Sequence, residues 1–116
     1  NTVVRIKSKD MIESVERVSL IITDRFKAPL KMEFRNGEAR ISTATALGAA
    51  NDRVDVSIDG DDTCIGIQAR YVLDALRASE DDEVLMTIVN PLSPVCIVPT
   101  VGDSYTYLIL PVRLNG

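Results

Sequence analysis

The order of periodicities constrains this chain most: a strand, a helix and three strands, and then the same order again. Strands alternate apolar and polar residues with period two, whereas a helix repeats its apolar face every three or four residues. Residues 2–7 predict a strand, and Ser8 is placed to cap the helix that follows. Over 9–19 the period changes. Met11, Ile12, Val15 and Val18 share one face, while Asp10, Glu13 and Arg17 lie on another. Residues 20–23 form an apolar exit, and Ala28-Pro29 breaks the chain direction. Leu30, Met32 and Phe34 then alternate with Lys31, Glu33 and Arg35. Asn36-Gly37 marks a hairpin, because both residues tolerate the positive φ of a type I′ turn. Residues 38–43 return as its partner, 45–52 read as a loop, and 53–59 alternate again with Val54, Val56 and Ile58 inward.

The second half opens on a turn at 60–62 and a strand over 63–68. The spacing predicts a helix over 69–78 with Val72, Leu73 and Leu76 buried, a polar break at 79–82, and strands over 83–90, 95–99 and 104–112. The halves, 1–59 and 60–116, share an order of elements but no residue-level repeat. The class is α+β: two antiparallel sheets related by a pseudo-twofold, with both helices on one side. First-half strands alternate as a sheet with one wet face should. By contrast 84–89, 95–98 and 108–110 are apolar on both faces, so something covers the outer face or it binds a partner. The apolar stretch 105–114 near the chain end adds to this, since loose ends are normally polar.

A chain of 116 residues fits one domain, and 46% hydrophobic residues can fill a core. The start at Asn1 rather than Met suggests a fragment or a trimmed chain. A net charge of −4 argues against a dedicated nucleic-acid domain, which is usually basic. Cys64 and Cys96 sit in apolar runs and read as reduced thiols, which points to the cytoplasm. No apolar run approaches the roughly 20 residues of a membrane helix, so no membrane partner is expected. The absence of histidine removes the commonest general base and metal ligand, and no phosphate-binding glycine loop or nucleophile elbow is present. Asp61-Asp62 and the acidic run 80–83 can be drawn as a divalent-metal site of an enzyme. They lack ligand spacing and read better as solvated turns. Arg70, Asp74 and Arg77 share a helix face, which reads either as a phosphate contact or as a surface ion pair. Tyr71 reads as a core aromatic or as the lining of a groove.

The strings Ile65-Gly-Ile-Gln-Ala-Arg-Tyr-Val-Leu-Asp-Ala-Leu76, Ser93-Pro-Val-Cys-Ile97 and Leu110-Pro-Val-Arg-Leu114 resemble the C-terminal third of the bacterial DNA polymerase III beta subunit, the sliding clamp. The resemblance covers essentially the whole chain. It implies the DNA-clamp fold, in which two such chains of three domains form a head-to-tail homodimeric ring around duplex DNA. Helices line the hole and sheets lie outside. The N-terminal and middle domains are then absent here. It further implies a non-catalytic tether without metal or cofactor. The replicative polymerase, clamp loader and repair proteins dock on it through a Gln-Leu-x-Leu-Phe type motif. By position, the resemblance assigns Phe26, Gln68, Tyr71, Leu92, Pro94, Leu108, Ile109, Leu110, Pro111, Val112, Arg113 and Leu114 to the peptide groove. It turns Lys9, Arg17, Arg70 and Arg77 towards DNA and places Leu20 and Ile21 at the ring interface. The chain departs from the family in three ways. Asn115-Gly116 follow the usual terminal leucine, Pro94 replaces a small polar residue, and Glu13 and Glu16 put negative charge on the DNA-facing helix. Two other readings compete: a divalent-metal enzyme built on the acidic turns, and an unrelated β-rich interaction domain.

Overall fold

A computed structural model of the chain describes residues 1–23 and 27–114. Along the chain run β1 (Thr2–Lys7), α1 (Ser8–Val18), a 3-10 turn (Ser19–Ile21), β2 (Leu30–Arg35), β3 (Glu38–Thr45), β4 (Gly48–Asp55) and β5 (Ser57–Gly60). Then come β6 (Thr63–Ile67), α2 (Ala69–Ser79), β7 (Glu83–Ile88), β8 (Val95–Pro99) and β9 (Tyr107–Ile109). One sheet has the order β5-β1-β7-β8-β9 and the other β4-β3-β2-β6, antiparallel throughout. The duplicated α+β clamp architecture expected from the sequence is present.

The halves exchange their first strands. β1 pairs with β7, with Val4 opposite Met86, and β6 pairs with β2, with Ile65 opposite Met32. Val4, Ile6, Leu30, Met32, Phe34, Met86 and Ile97 are fully buried from the sheets, and Met11, Val15, Val72 and Leu76 meet them from the helices, which pack on each other. Each such side chain taken from water contributes roughly 1.5–3 kcal/mol. Asn36 and Gly37 have φ of 54° and 74°, as the hairpin between β2 and β3 requires.

Several sequence expectations need correction. Ser8 does not cap α1. Lys7 holds the cap position, while Ser8 is the first helical residue and its backbone N–H donates to the Asp82 carbonyl at 2.8 Å. The loop expected over 45–52 is mostly strand. The small residues Ala49, Ala50 and Asn51 have weak strand preference, but β4 pairs with β3 at eight positions, and pairing overrides propensity. The strand expected over 53–59 is two strands in different sheets. The break falls at Val56, whose N–H donates to the Gly37 carbonyl at 2.9 Å before the chain crosses to pair with β1. The first half therefore carries an extra strand. The strand expected over 104–112 shrinks to β9.

The second-half strands also alternate more than their sequence suggests. β7 buries Val84, Met86 and Ile88 and turns Glu83, Leu85 and Thr87 outward, where neighbouring strands half-cover them. β8 does likewise, burying Val95, Ile97 and Pro99 and turning out Cys96 and Val98. In the second half the exposed large apolar side chains are then Val89, Leu92 and Val101 in loops, Tyr71 on α2, and Leu108 and Leu110 of the terminal segment, the last two 67% and 73% exposed.

Candidate docking groove

α2 buries Val72, Ala75, Leu76 and Ser79. Tyr71 sits on the flank of that stripe and is 56% exposed. Ala75 and Ala78 follow it at helical spacing. Their short side chains leave a hollow between α2 and β9, a cleft of about 540 Å³ lined by Tyr71, Ala75, Ala78, Leu108, Ile109 and Leu110. The cleft is mostly apolar, with Asp74 and Thr106 at its rim. Tyr105 secures the approach to β9. Its hydroxyl donates to the Asp81 carboxylate, and its ring lies 5.2 Å from that of Tyr107. Burial, then the bond to Asp81, push that hydroxyl up to about 12, so it remains a donor at any ordinary pH.

Beyond β9 the chain leaves one sheet and reaches the other. The Val112 N–H donates to the Gly66 carbonyl on edge strand β6 at 2.8 Å, as an isolated antiparallel bridge. Pro111 cannot extend β9, because it lacks an N–H. The segment 110–114 therefore spans the gap between sheets and parts two hollows. The second, of about 680 Å³, is lined by Pro29, Thr43, Gln68, Val112, Arg113 and Leu114 among others. Gln68 precedes α2 and makes no capping bond with its side chain.

The structure thus brings Tyr71, Leu108, Ile109 and Leu110 into one cleft, and Gln68, Val112, Arg113 and Leu114 into the adjoining one. Pro111 lies between them, half-buried. Leu92 and Pro94 line neither. Both are exposed in the turn between β7 and β8, which the Asn90 side chain holds by accepting the Leu92 N–H at 2.8 Å. Val95 pairs with Ile109, so Pro94 stands next to Leu110 at the rim. Phe26 lies outside the described residues, as do Asn115 and Gly116. Ala75 and Ala78 escaped the sequence analysis, although they stand four and seven positions after Tyr71 on its own helix face, and Pro29 was legible there only as a break in the chain.

The cations assigned to DNA are largely engaged. Arg17 meets Asp52 at 2.7 Å, Arg77 meets Glu16 at 2.8 Å, and Arg70 lies 4.0 Å from Asp74. The hydrogen bond from Arg17 holds the Asp52 carboxyl below its usual range. Lys9 shares a hollow between the start of α1 and the end of α2 with Asp10, Glu13, Glu16 and the acidic run after α2. Leu20 is 79% exposed. Ile21 is half-buried in the 3-10 turn, and its carbonyl accepts from the Thr45 hydroxyl at 3.2 Å, close to exposed Leu47 and to edge strand β4. Among the described residues no group of three or more His, Cys, Asp or Glu side chains is placed to hold a metal ion, so the metal-enzyme reading has no site to rest on there. No helix among them is long and apolar enough to cross a membrane.

The family profile described as DNA polymerase III beta subunit, C-terminal domain, matches residues 1–113. The chain belongs to this family. It is 29% identical to the beta sliding clamp of Streptomyces coelicolor, across 100% of this chain and 32% of that protein. The fold is similar to that of the Thermotoga maritima DNA polymerase III beta subunit, with a TM-score of 0.92 and 29% identity over 98% of this chain and 31% of that one. It is also similar to a chain from Eubacterium rectale assigned as a DNA polymerase III beta subunit, with a TM-score of 0.91 and 32% identity over 96% of this chain and 30% of that one. The chain spans about a third of the length of the sliding clamps it matches.

Proposed function

We propose that this chain is the third domain of a three-domain sliding clamp, with pseudo-repeats 1–59 and 60–116, and that its groove docks linear peptide motifs of replication and repair proteins. The observation that carries this reading is the exposed apolar set of Tyr71, Leu108 and Leu110 around a cleft shaped by two alanines. Elsewhere the outward apolar residues of the same sheet are half-covered. The partners are the replicative polymerase, the clamp loader and repair proteins bearing a Gln-Leu-x-Leu-Phe type motif. A motif leucine and phenylalanine buried there each contribute roughly 1.5–3 kcal/mol, so a few anchors carry most of the affinity. The domain acts as a cytoplasmic scaffold and not as a catalyst.

Ring closure through the edge carrying Leu20 and Ile21, in a head-to-tail homodimer around duplex DNA, completes the reading. Both residues lie beside edge strand β4, a surface suited to pairing with another chain. Contact with DNA is weak and blind to sequence, through Lys9, Arg17, Arg70 and Arg77. The test is a fluorescence titration of a labelled Gln-Leu-x-Leu-Phe peptide against the full-length protein. Saturable binding that is lost on combining Tyr71→Ala with Leu110→Ala is expected. Absence of binding to the parent protein defeats the proposal.

A further inference from the structure

We propose that Gly66 is a positioning residue for the docking groove: its missing side chain forms the notch in which the terminal segment is seated. The inference rests on the docking reading above and goes beyond the residues that line the groove.

Gly66 lies on β6, buried, with a backbone conformation open to any residue, so no turn geometry demands glycine there. The demand comes from what lies over it. A Cβ at this position meets the Val112 carbonyl oxygen at 2.6 Å and the Leu114 side chain at 2.7 and 2.9 Å, all well inside ordinary contact. Leu114 can swing aside, being the end of a flexible side chain. The Val112 oxygen is backbone and moves only with its segment. The same two residues are joined by the bond from the Val112 N–H to the Gly66 carbonyl, at 2.8 Å. That bond and the close approach fix both the height and the register of residues 110–114. Leu110 borders one hollow and Leu114 the other, so displacement of the segment alters both at once. Orientation of a few deep anchors governs affinity at such sites, and a shift below one ångström there is costly.

Two variants of the full-length protein test this. Gly66→Ala adds the one methyl group. A backbone ester at Val112, installed by ligating a synthetic C-terminal peptide at Cys96, deletes the N–H donor and keeps every side chain. Peptide affinity is read by the fluorescence titration above, seating by amide exchange around residues 110–114, and folding by thermal unfolding. We expect Gly66→Ala to weaken peptide binding at least tenfold. The ester should weaken it severalfold with the unfolding midpoint little changed, and exchange in the segment should rise in both. Parental affinity in Gly66→Ala, or in the ester should the alanine variant not fold, overturns the inference. A parent protein that binds no peptide defeats the docking reading instead. The exchange data then decide the seating on their own: unaltered exchange overturns it.

Discussion

Single residues divide into those whose role is written in local sequence and those whose role depends on a distant neighbour. Asn36-Gly37 is of the first kind, since the turn type follows from the dipeptide and its flanking alternation. A Cβ on Gly37 meets nothing closer than the Val56 carbonyl oxygen at 3.8 Å, so space is not the issue there. Gly37→Ala is therefore expected to cost only the left-handed backbone term, about 1–2 kcal/mol, read by urea unfolding as a lower midpoint with an unchanged slope. A loss several times larger points to a contact that the geometry does not contain. Gly66 is of the second kind. Nothing in the string Ile65-Gly66-Ile67 indicates that the chain end lies upon it. Arg17 is also of this kind. Helical spacing offered it Glu13, yet it reaches across to Asp52 on β4. The Arg17 hydrogen bond depresses the Asp52 carboxyl in the folded state. The pair therefore stabilises above the unfolded carboxylate's pKa, and the contribution fades as the pH falls through the lower folded value. In Arg17→Ala the Asp52 midpoint, followed by carboxyl NMR titration, is expected to rise towards 3.8. A midpoint that stays put assigns the depression to some other group.

At the scale of elements, periodicity reported faces well and partners poorly. The inward residues of β2 and most of those of α1 were legible, because burial of one face imposes its period whatever lies opposite. On α2 Val72 and Leu76 are buried as expected, whereas Leu73 is only half-buried and Ala75 is buried unforeseen. Beyond the β2–β3 hairpin marked by Asn36-Gly37, which strand pairs with which left no trace in the sequence, since an edge strand and a central strand can share one alternation. That is why the passage through Val56 from one sheet to the other was invisible, and why the small residues of β4 read as loop. The same blindness made β7 and β8 look two-sided, because outward side chains half-covered by neighbouring strands need not be polar. The groove was legible in part for a related reason. Tyr71 and the leucines of the terminal segment stand out as apolar excess, whereas Ala75 and Ala78 contribute by being small. The exchange of β1 and β6 between halves has a consequence for folding. Neither half can complete its sheet, since β1 needs β7 and β6 needs β2. Cleaving the chain between Asp61 and Asp62 should give two fragments that are each largely unfolded by circular dichroism. Mixed at equal concentration, they should regain the native spectrum. An independently folded half contradicts the strand exchange as the source of cooperativity.

For the whole molecule, the distribution of charge matters more than its sum. The groove and the edge at Leu20 are apolar, and the helix face carries most of the cations proposed to meet DNA. Those cations are mostly matched: Arg77 by Glu16, Arg17 by Asp52, and Arg70 more loosely by Asp74. A duplex approaching this face must compete with internal carboxylates, and affinity for a polyanion comes from cations free to displace counterions. Such an arrangement suits a surface that surrounds DNA without gripping it. Glu16 is the most informative carboxylate to remove, because it is exposed, lies outside the core, and faces an arginine of the neighbouring helix. Glu16→Gln keeps the shape of the side chain, removes one negative charge and releases Arg77. In the full-length protein the substitution is expected to tighten binding to a labelled duplex, followed by fluorescence anisotropy through a salt series. The plot of log affinity against log salt should steepen by about 0.9 for each phosphate newly engaged. Arg77→Ala in the unmodified background should change either quantity little, because that charge is already matched. Combined with Glu16→Gln, it should abolish the gain. If affinity and slope are the same with and without Glu16, the helix face of this domain does not approach the duplex, and the DNA contact proposed for Arg77 is wrong.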